Sequence, residues 1–212
     1  MLYEKNVFLS ILVAVVLSTS LFAEGKKPGF VDLGISYHFF EETGLVETPS
    51  GTKESIFAQN SFSIDFSVKG FFNEEGKVGI GTVVNLFFPQ SMNTIIDGYE
   101  PIELTASDFD SAFGLSLLVG PAIKAVQKDK FVFLITPGIT YTLLSFEAEK
   151  SNTTTLFGIG SEFSANFLLA KHFYLKLNID FRYYMLANQN GNGLASENSV
   201  SIQPGIAAGF YF

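Results

Sequence analysis

Ser36, His38 and Asp65 are the residue types of nucleophilic acyl transfer, in which an imidazole takes the proton of an attacking hydroxyl and a carboxylate holds the imidazole in place. Serine, however, recurs on the polar faces of this chain, as at Ser61, Ser63, Ser67, Ser116, Ser164 and Ser201. One histidine among many serines reads as polar filling, and the weight falls against catalysis. The second histidine, His172, stands in a short turn beside Lys171 and reads as solvated. No glycine-rich phosphate loop or metal-spaced histidine pair is present. The absence of cysteine excludes thiolate nucleophiles, disulfides and thiolate metal sites. No cofactor is expected. The more telling set is ionic: Asp32, Asp65, Lys69, Glu162, Lys176, Asp180 and Arg182, with His38, Asn85, Asn166, Asn178 and Gln203 among them. Buried charges persist only when paired and hydrogen-bonded. A nearly balanced mixture of this kind predicts an ion-pair network, whereas a solute path needs unpaired charge of one sign.

The elements that must hold these residues are strands. In Phe173 to Met185 every second residue is apolar, Phe173, Leu175, Leu177, Ile179, Phe181, Tyr183 and Met185, and the alternate positions carry Lys176, Asn178, Asp180 and Arg182. Side chains of a strand alternate between faces, so this segment has one greasy and one ionic surface. Seven further segments follow the same rule: 31–39, 61–69, 78–88, 113–120, 133–143, 157–167 and 200–212. Their connections alternate in length. Residues 73–77, 127–130 and 170–172 are short, while 41–60, 89–110, 147–154 and 186–198 are expected as longer loops. Pro121, Pro137 and Pro204 fall inside strands, each beside a glycine, and predict local bulges.

An eight-stranded meander closes either as a soluble barrel with an apolar interior or as a membrane barrel with an apolar exterior. The polar face decides between them. A water-facing surface carries roughly 25 to 35% charged residues. Here the polar face is mostly Gly, Ser, Thr, Asn and Ala, and the whole chain is 47% hydrophobic and only 16% charged. Small residues suit the crowded lumen of a narrow barrel. Aromatics gather near the turn ends (Phe30, Phe71, Phe72, Phe131, Phe173, Phe210, Phe212) and near the loop ends (Phe39, Phe40, Phe62, Phe87, Phe88, Phe146, Tyr183, Tyr184), the pattern of two interfacial girdles. The one long apolar run, Val7 to Leu17, is too short to cross a bilayer as a helix. With Lys5 before it and Ala23 after, it predicts a secretory signal peptide over residues 1–23, a short segment 24–28, and a barrel domain over 29–212.

From Phe30 to Phe212 the chain resembles the small eight-stranded outer-membrane barrels, the group of the OmpA transmembrane domain, OmpX and OmpW, in strand count, alternation of connections and C-terminal aromatic. The fold class is thus all-β, an antiparallel up-and-down transmembrane barrel. The resemblance implies location in the outer membrane, contact with its lipid, and insertion by a barrel-assembly machinery that reads Phe210 and Phe212. Short turns then face the periplasm and longer loops face outward. Those loops are acidic: Glu41, Glu42, Glu47 and Glu54 in the first, Asp97, Glu100, Glu103, Asp108 and Asp110 in the second. Nucleic acid is excluded as a partner on charge. The second loop lacks the regular spacing of a calcium loop and reads as a solvated acidic segment. Two roles are expected. The first is a non-enzymatic envelope protein that presents its external loops to surface ligands. The second, implied by the resemblance to OmpW, is a narrow conduit for small hydrophobic solutes entered at Met92, Ile95, Ile96 and Tyr99. A membrane acyltransferase is the remote alternative.

On the inner face, a symmetric first hairpin would set Asp32 across from Lys69. A tight turn at 170–172 would bring Glu162 near Asp180 and let Arg182 bridge both carboxylates.

Overall fold

A computed structural model describes residues 28–72, 76–147, 151–190 and 194–212. The expected signal peptide lies outside them. Strands β1 (Gly29–Thr48), β2 (Gly51–Phe71), β3 (Val78–Ile96), β4 (Ile102–Thr105), β5 (Ser111–Lys128), β6 (Phe131–Glu147), β7 (Ser151–Leu168), β8 (Phe173–Gln189) and β9 (Leu194–Tyr211) follow one another along the chain. Each long strand pairs antiparallel with its sequence neighbours, β3 with β5 across the short β4, and β9 returns to β1. The result is a closed eight-stranded barrel. Closure removes the sheet edges that no lipid could satisfy.

Its exterior is the greasy face of the alternation. Leu33, Ile35, Tyr37 and Phe39 of β1, Leu175, Leu177, Ile179 and Phe181 of β8, and Ile202, Ile206 and Phe210 of β9 are all exposed. Between them, Asp32, Ser36 and His38, then Lys176, Asp180 and Arg182, then Ser201 and Gln203 are buried. An exterior of exposed aliphatic and aromatic side chains around a polar interior is stable only in lipid, so the barrel spans a membrane.

Three expectations change. The expected long loops are largely strand. β1 and β2 pair without interruption from Gly29↔Gly70 to Thr48↔Gly51, leaving Pro49 and Ser50 as the connection. The turn signal was in the sequence: Thr48-Pro49-Ser50-Gly51, in which Gly51 has φ +114° and Thr48 Oγ1 donates to the Gly51 carbonyl at 2.7 Å. In the same way β3 runs on to Ile96 and folds back through β4, with Ser91↔Thr105 and Thr94↔Ile102 paired. A twisted sheet of β1 to β4 thus projects beyond the barrel mouth.

Pro121, Pro137 and Pro204 produce no bulge. Val119↔Ile139 and Ile123↔Ile135 keep one register on either side of Pro121 and Pro137, and Ser36↔Gly205 and Phe39↔Ile202 do so around Pro204. A proline lacks the N–H for one rung, and here the ladder omits the rung without inserting a residue. The register shifts lie elsewhere, at Asn60/Ser61, Lys124/Val126, Phe157/Gly158 and Tyr184/Leu186. Gly120 and Gly138 allow close approach at the proline step, since a Cβ on either would run into the opposite backbone.

Third, several aromatics assigned to the girdles point inward. Phe30, Phe71, Phe40, Phe87 and Tyr184 are buried. Their parity placed them there: Phe30 and Phe40 share the face of Asp32 and His38. They plug the lumen ends instead of anchoring the interface.

Candidate functional site

The lumen is where the chain buries charged and polar side chains, in two layers between two apolar caps. The cap nearer the short turns consists of Phe30, Phe71, Ala122, Val132, Leu134 and Tyr174. Phe30 meets Tyr174 edge-on at 5.2 Å and Phe71 at 6.1 Å, and the Lys124 ammonium lies 4.2 Å over the Phe71 ring. The opposite cap consists of Phe40, Phe87, Leu144, Leu156 and Tyr184, with Phe57 and Phe146 packed against it.

Above the first cap, Lys176 Nζ donates to Asp32 Oδ1 at 2.6 Å and to Glu162 Oε1 at 2.7 Å. Lys69 Nζ lies 2.5 Å from Glu162 Oε2 and donates to Ser67 Oγ at 3.1 Å. Asp32 Oδ2 accepts from the Ser67 and Tyr174 hydroxyls, each at 2.6 Å. Four strands, β1, β2, β7 and β8, are tied together by this cluster, and all four ionic side chains are within 3% of complete burial. Two cations against two carboxylates, each oxygen and ammonium engaged, is the arrangement under which buried charge is tolerated.

The second layer centres on Arg182. Its guanidinium lies 3.5 Å from Asp180 Oδ2 and donates to Ser116 Oγ and Asn85 Oδ1, so one side chain of β8 reaches β5 and β3 across the lumen. Asn85 Nδ2 donates in turn to Asp65 Oδ1 at 2.8 Å, which also accepts from Ser63 at 2.7 Å and Gln203 at 2.9 Å. Asp65 has no cation in direct contact among the described residues; Asn85 relays it to Arg182. Thr142 joins the Ser116 hydroxyl to Tyr184, 2.9 Å from the latter, and so links this layer to the outer cap.

The expected pairings are corrected in two places. β1 faces β2 with Asp32↔Ser67 and Phe30↔Lys69. The register differs from the expected one by two residues because the hairpin turns at Pro49-Ser50, and Lys69 reaches across to Glu162 instead. Glu162 does stand opposite Asp180. Yet the cation bridging two carboxylates is Lys176, between Asp32 and Glu162, while Arg182 serves Asp180 and two neutral partners. This choice depends on which strands face each other across the lumen, which is set by barrel closure and not by neighbouring pairs.

The acyl-transfer types are not assembled. Ser36 faces Ser63, His38 faces Ser61 and Asp65 faces Gly34. The His38 ring is stacked on Phe87 at 4.5 Å with Phe40 beyond it at 6.3 Å, and neither ring nitrogen has a hydrogen-bond partner among the described residues. Ser36 Oγ instead accepts from Gln203 at 2.5 Å. The candidate entrance residues are also divided. Met92 is buried above the outer cap, whereas Ile95 is exposed on the other face of β3. Ile96 shares the parity of Met92, and Tyr99 sits in the β3–β4 turn with its hydroxyl 3.2 Å from that of Ser50. Beside it Lys53 pairs with Asp97 at 3.5 Å, and the Asp97 N–H donates to the Glu54 carbonyl at 3.0 Å. These contacts clasp the two external hairpins together. At the other end of the barrel, Phe212 and Gly29 exchange two backbone hydrogen bonds, of 2.8 and 3.1 Å, at the closing seam, and Phe210 is exposed to lipid.

No family model matches the sequence, and no curated protein sequence is similar to it. Solved structures are similar in fold. Outer membrane protein OprG from Pseudomonas aeruginosa superposes with a TM-score of 0.58 at 11% identity, over 88% of this chain and 96% of that one. Neisserial surface protein A does so with 0.55 at 10% identity, over 86% and 97%. Outer membrane protein AlkL, solved in DMPC lipid bilayers, gives 0.55 at 10% identity, over 89% and 91%. At such identities the likeness is one of architecture. The chain is an integral membrane β-barrel with the fold of the small eight-stranded outer-membrane proteins.

Proposed function

We propose that this chain is a non-enzymatic outer-membrane protein that stiffens the envelope and presents an acidic external sheet for surface interactions. The observation that carries the reading is the filled lumen: two ionic layers closed by an aromatic cap at each end. Such a filling supports rigidity and leaves the outward-projecting β1 to β4 sheet as the solvent-facing part. Glu41, Glu47, Glu54, Glu100 and Glu103 lie on or beside this sheet with Lys53 as its one described cation, which favours partners of positive charge and disfavours polyanions. In this reading the outer-membrane lipid and the barrel-assembly machinery are its obligatory partners, the latter engaging Phe210 and Phe212.

A second reading is a conduit for small hydrophobic solutes. It is favoured by the apolar inner face of the external sheet, where Met92 pairs with Leu104 and Phe57 lies at 6.1 Å from Phe40. For solute to pass, Phe40, Phe87 and Tyr184 must leave the outer cap. Uptake of a small alkane or aromatic into proteoliposomes containing the full chain separates the two. The first reading expects uptake equal to that of lipid alone; faster uptake that Tyr184→Ala accelerates further overturns it.

A further inference from the structure

The lipid-facing surface of β8, β9 and β1 is not uniformly convex. Counting outward from the short turns, its rows are Phe173, Phe210 and Val31, then Leu175, Ala208 and Leu33, then Leu177, Ile206 and Ile35. Ala208 is the one small residue in these rows. A groove of about 630 Å³ opens over it, walled by Leu33, Ile35, Leu175, Leu177 and Ile206. Past Ile206 a second hollow of about 420 Å³ continues it between Tyr37, Phe62 and Pro204. From Ala208 to Pro204 the strand advances about 13 Å. With the usual strand tilt of 35 to 45° this is about 10 Å along the membrane normal, a third of a hydrocarbon core of about 30 Å. The two hollows thus lie within one leaflet, with Phe173 and Phe210 between them and the short turns.

Its short-turn end is cationic. Lys171 and His172, in the β7–β8 turn immediately before Phe173, are exposed, and His172 Nδ1 is held 3.1 Å from the Tyr211 carbonyl. The neighbouring β5–β6 turn brings the exposed Lys128 and Lys130 alongside, joined by the Leu168 N–H donating to the Lys130 carbonyl at 3.0 Å; Asp129 is the one acid between them. The rings of Phe173 and Phe210, edge-to-face with centroids 5.9 Å apart, separate this cationic rim from the groove. A phosphate needs a cation at interfacial depth and an acyl chain needs an apolar channel below it, and both are present in line on one face.

We propose that this face holds one anionic phospholipid of the leaflet on the short-turn side, with its phosphate at Lys171 and one acyl chain in the groove over Ala208. Anionic headgroups are favoured by each lysine at the surface, and an acyl chain gains by every buried methylene. The lipid would cover the β1–β9 closing seam, where Pro204 leaves the ladder one rung short.

The test uses the detergent-purified, delipidated full chain titrated with phosphatidylglycerol or with phosphatidylcholine, and lipid retained per barrel read by native mass spectrometry. The wild type is expected to keep one phosphatidylglycerol in preference to phosphatidylcholine by about fivefold. Lys171→Gln should abolish that preference while leaving phosphatidylcholine retention unchanged. Ala208→Leu, which fills the groove from its lipid side, should lower retention of both lipids several-fold, and Ala208→Val should fall between. Folding of each variant is checked by heat-modifiable migration, and Ala208→Val carries the test if the leucine variant fails to fold. Equal retention by the wild type and the Ala208 variants overturns the groove. Retention of free glycerol phosphate at the same concentrations overturns the lipid assignment in favour of a simple anion site.

Discussion

Replacing Lys176 by Met keeps the volume of the side chain and removes the one ammonium that holds both Asp32 and Glu162. The consequences differ for the two carboxylates. Glu162 retains Lys69 at 2.5 Å, whereas Asp32 loses its only direct cation among the described residues and keeps two hydroxyl donors, Ser67 and Tyr174. Breaking a buried pair by deleting one partner costs about 3 to 5 kcal/mol. Lys176→Met should sit toward the upper end of this range, because two contacts of 2.6 and 2.7 Å go at once. Lys69→Met, which leaves Glu162 with Lys176, should fall toward the lower end. The assay is urea unfolding of the barrel in lipid vesicles, monitored by tyrosine fluorescence, with the denaturant slope unchanged and the midpoint lowered. Adding Asp32→Asn to Lys176→Met removes the stranded charge and should recover part of the loss. If both lysine variants unfold within about 1 kcal/mol of wild type, the value expected of an exposed pair, the lumen is hydrated and the ionic plug is not what holds the barrel together.

Arg182→Ala should destabilise far more than Lys53→Ala, since Arg182 joins β8 to β5 and β3 inside the lumen, while the Lys53–Asp97 pair is largely exposed and contributes at most about 1 kcal/mol. Equal midpoints in the same titration contradict this. A protease added to intact cells should cut at Pro49-Ser50 or between Asp97 and Pro101, where the external hairpins turn, and spare the paired stretches and the opposite turns; cleavage confined to 76–77 or 128–130 would invert the orientation. Deleting Phe212 removes both backbone bonds to Gly29 at the closing seam and should lower the yield of membrane-inserted barrel in a pulse-chase assay. Insertion at the wild-type rate would make the terminal aromatic incidental.

The strands and their inward and outward faces were legible because each side of the barrel wall imposes one chemistry, so a two-residue period is sustained over every segment. Strand ends were not. Beyond the membrane the alternation of β1 fades after Phe40, and residues up to Thr48 continue the ladder mainly on backbone bonds, with side-chain contacts such as Asn198 Nδ2 donating to Thr43 Oγ1 at 3.1 Å. The polar set that fills the lumen was legible by parity, and the inward aromatics Phe30, Phe40 and Phe87 were available by the same rule, although their closeness to the strand ends made them resemble girdle residues. Which cation meets which carboxylate was not legible. Lys69 and Glu162 stand on β2 and β7, which never pair, and only closure of eight strands to a narrow lumen brings them within 2.5 Å. The groove over Ala208 escaped sequence reading for a related reason: it is a relation among three strands, and a single alanine in an apolar row carries no periodic signal.

A lumen plugged at both ends should not conduct, and planar-bilayer conductance of the purified full chain tests this closure most directly. With small apolar solutes absent or present, the wild type is expected to show no unitary conductance steps, and these should appear only when the plug is opened, as in Arg182→Ala combined with Phe87→Ala. Steady conductance of the wild type, blocked or altered by apolar solute, would contradict it and identify the barrel as a conduit.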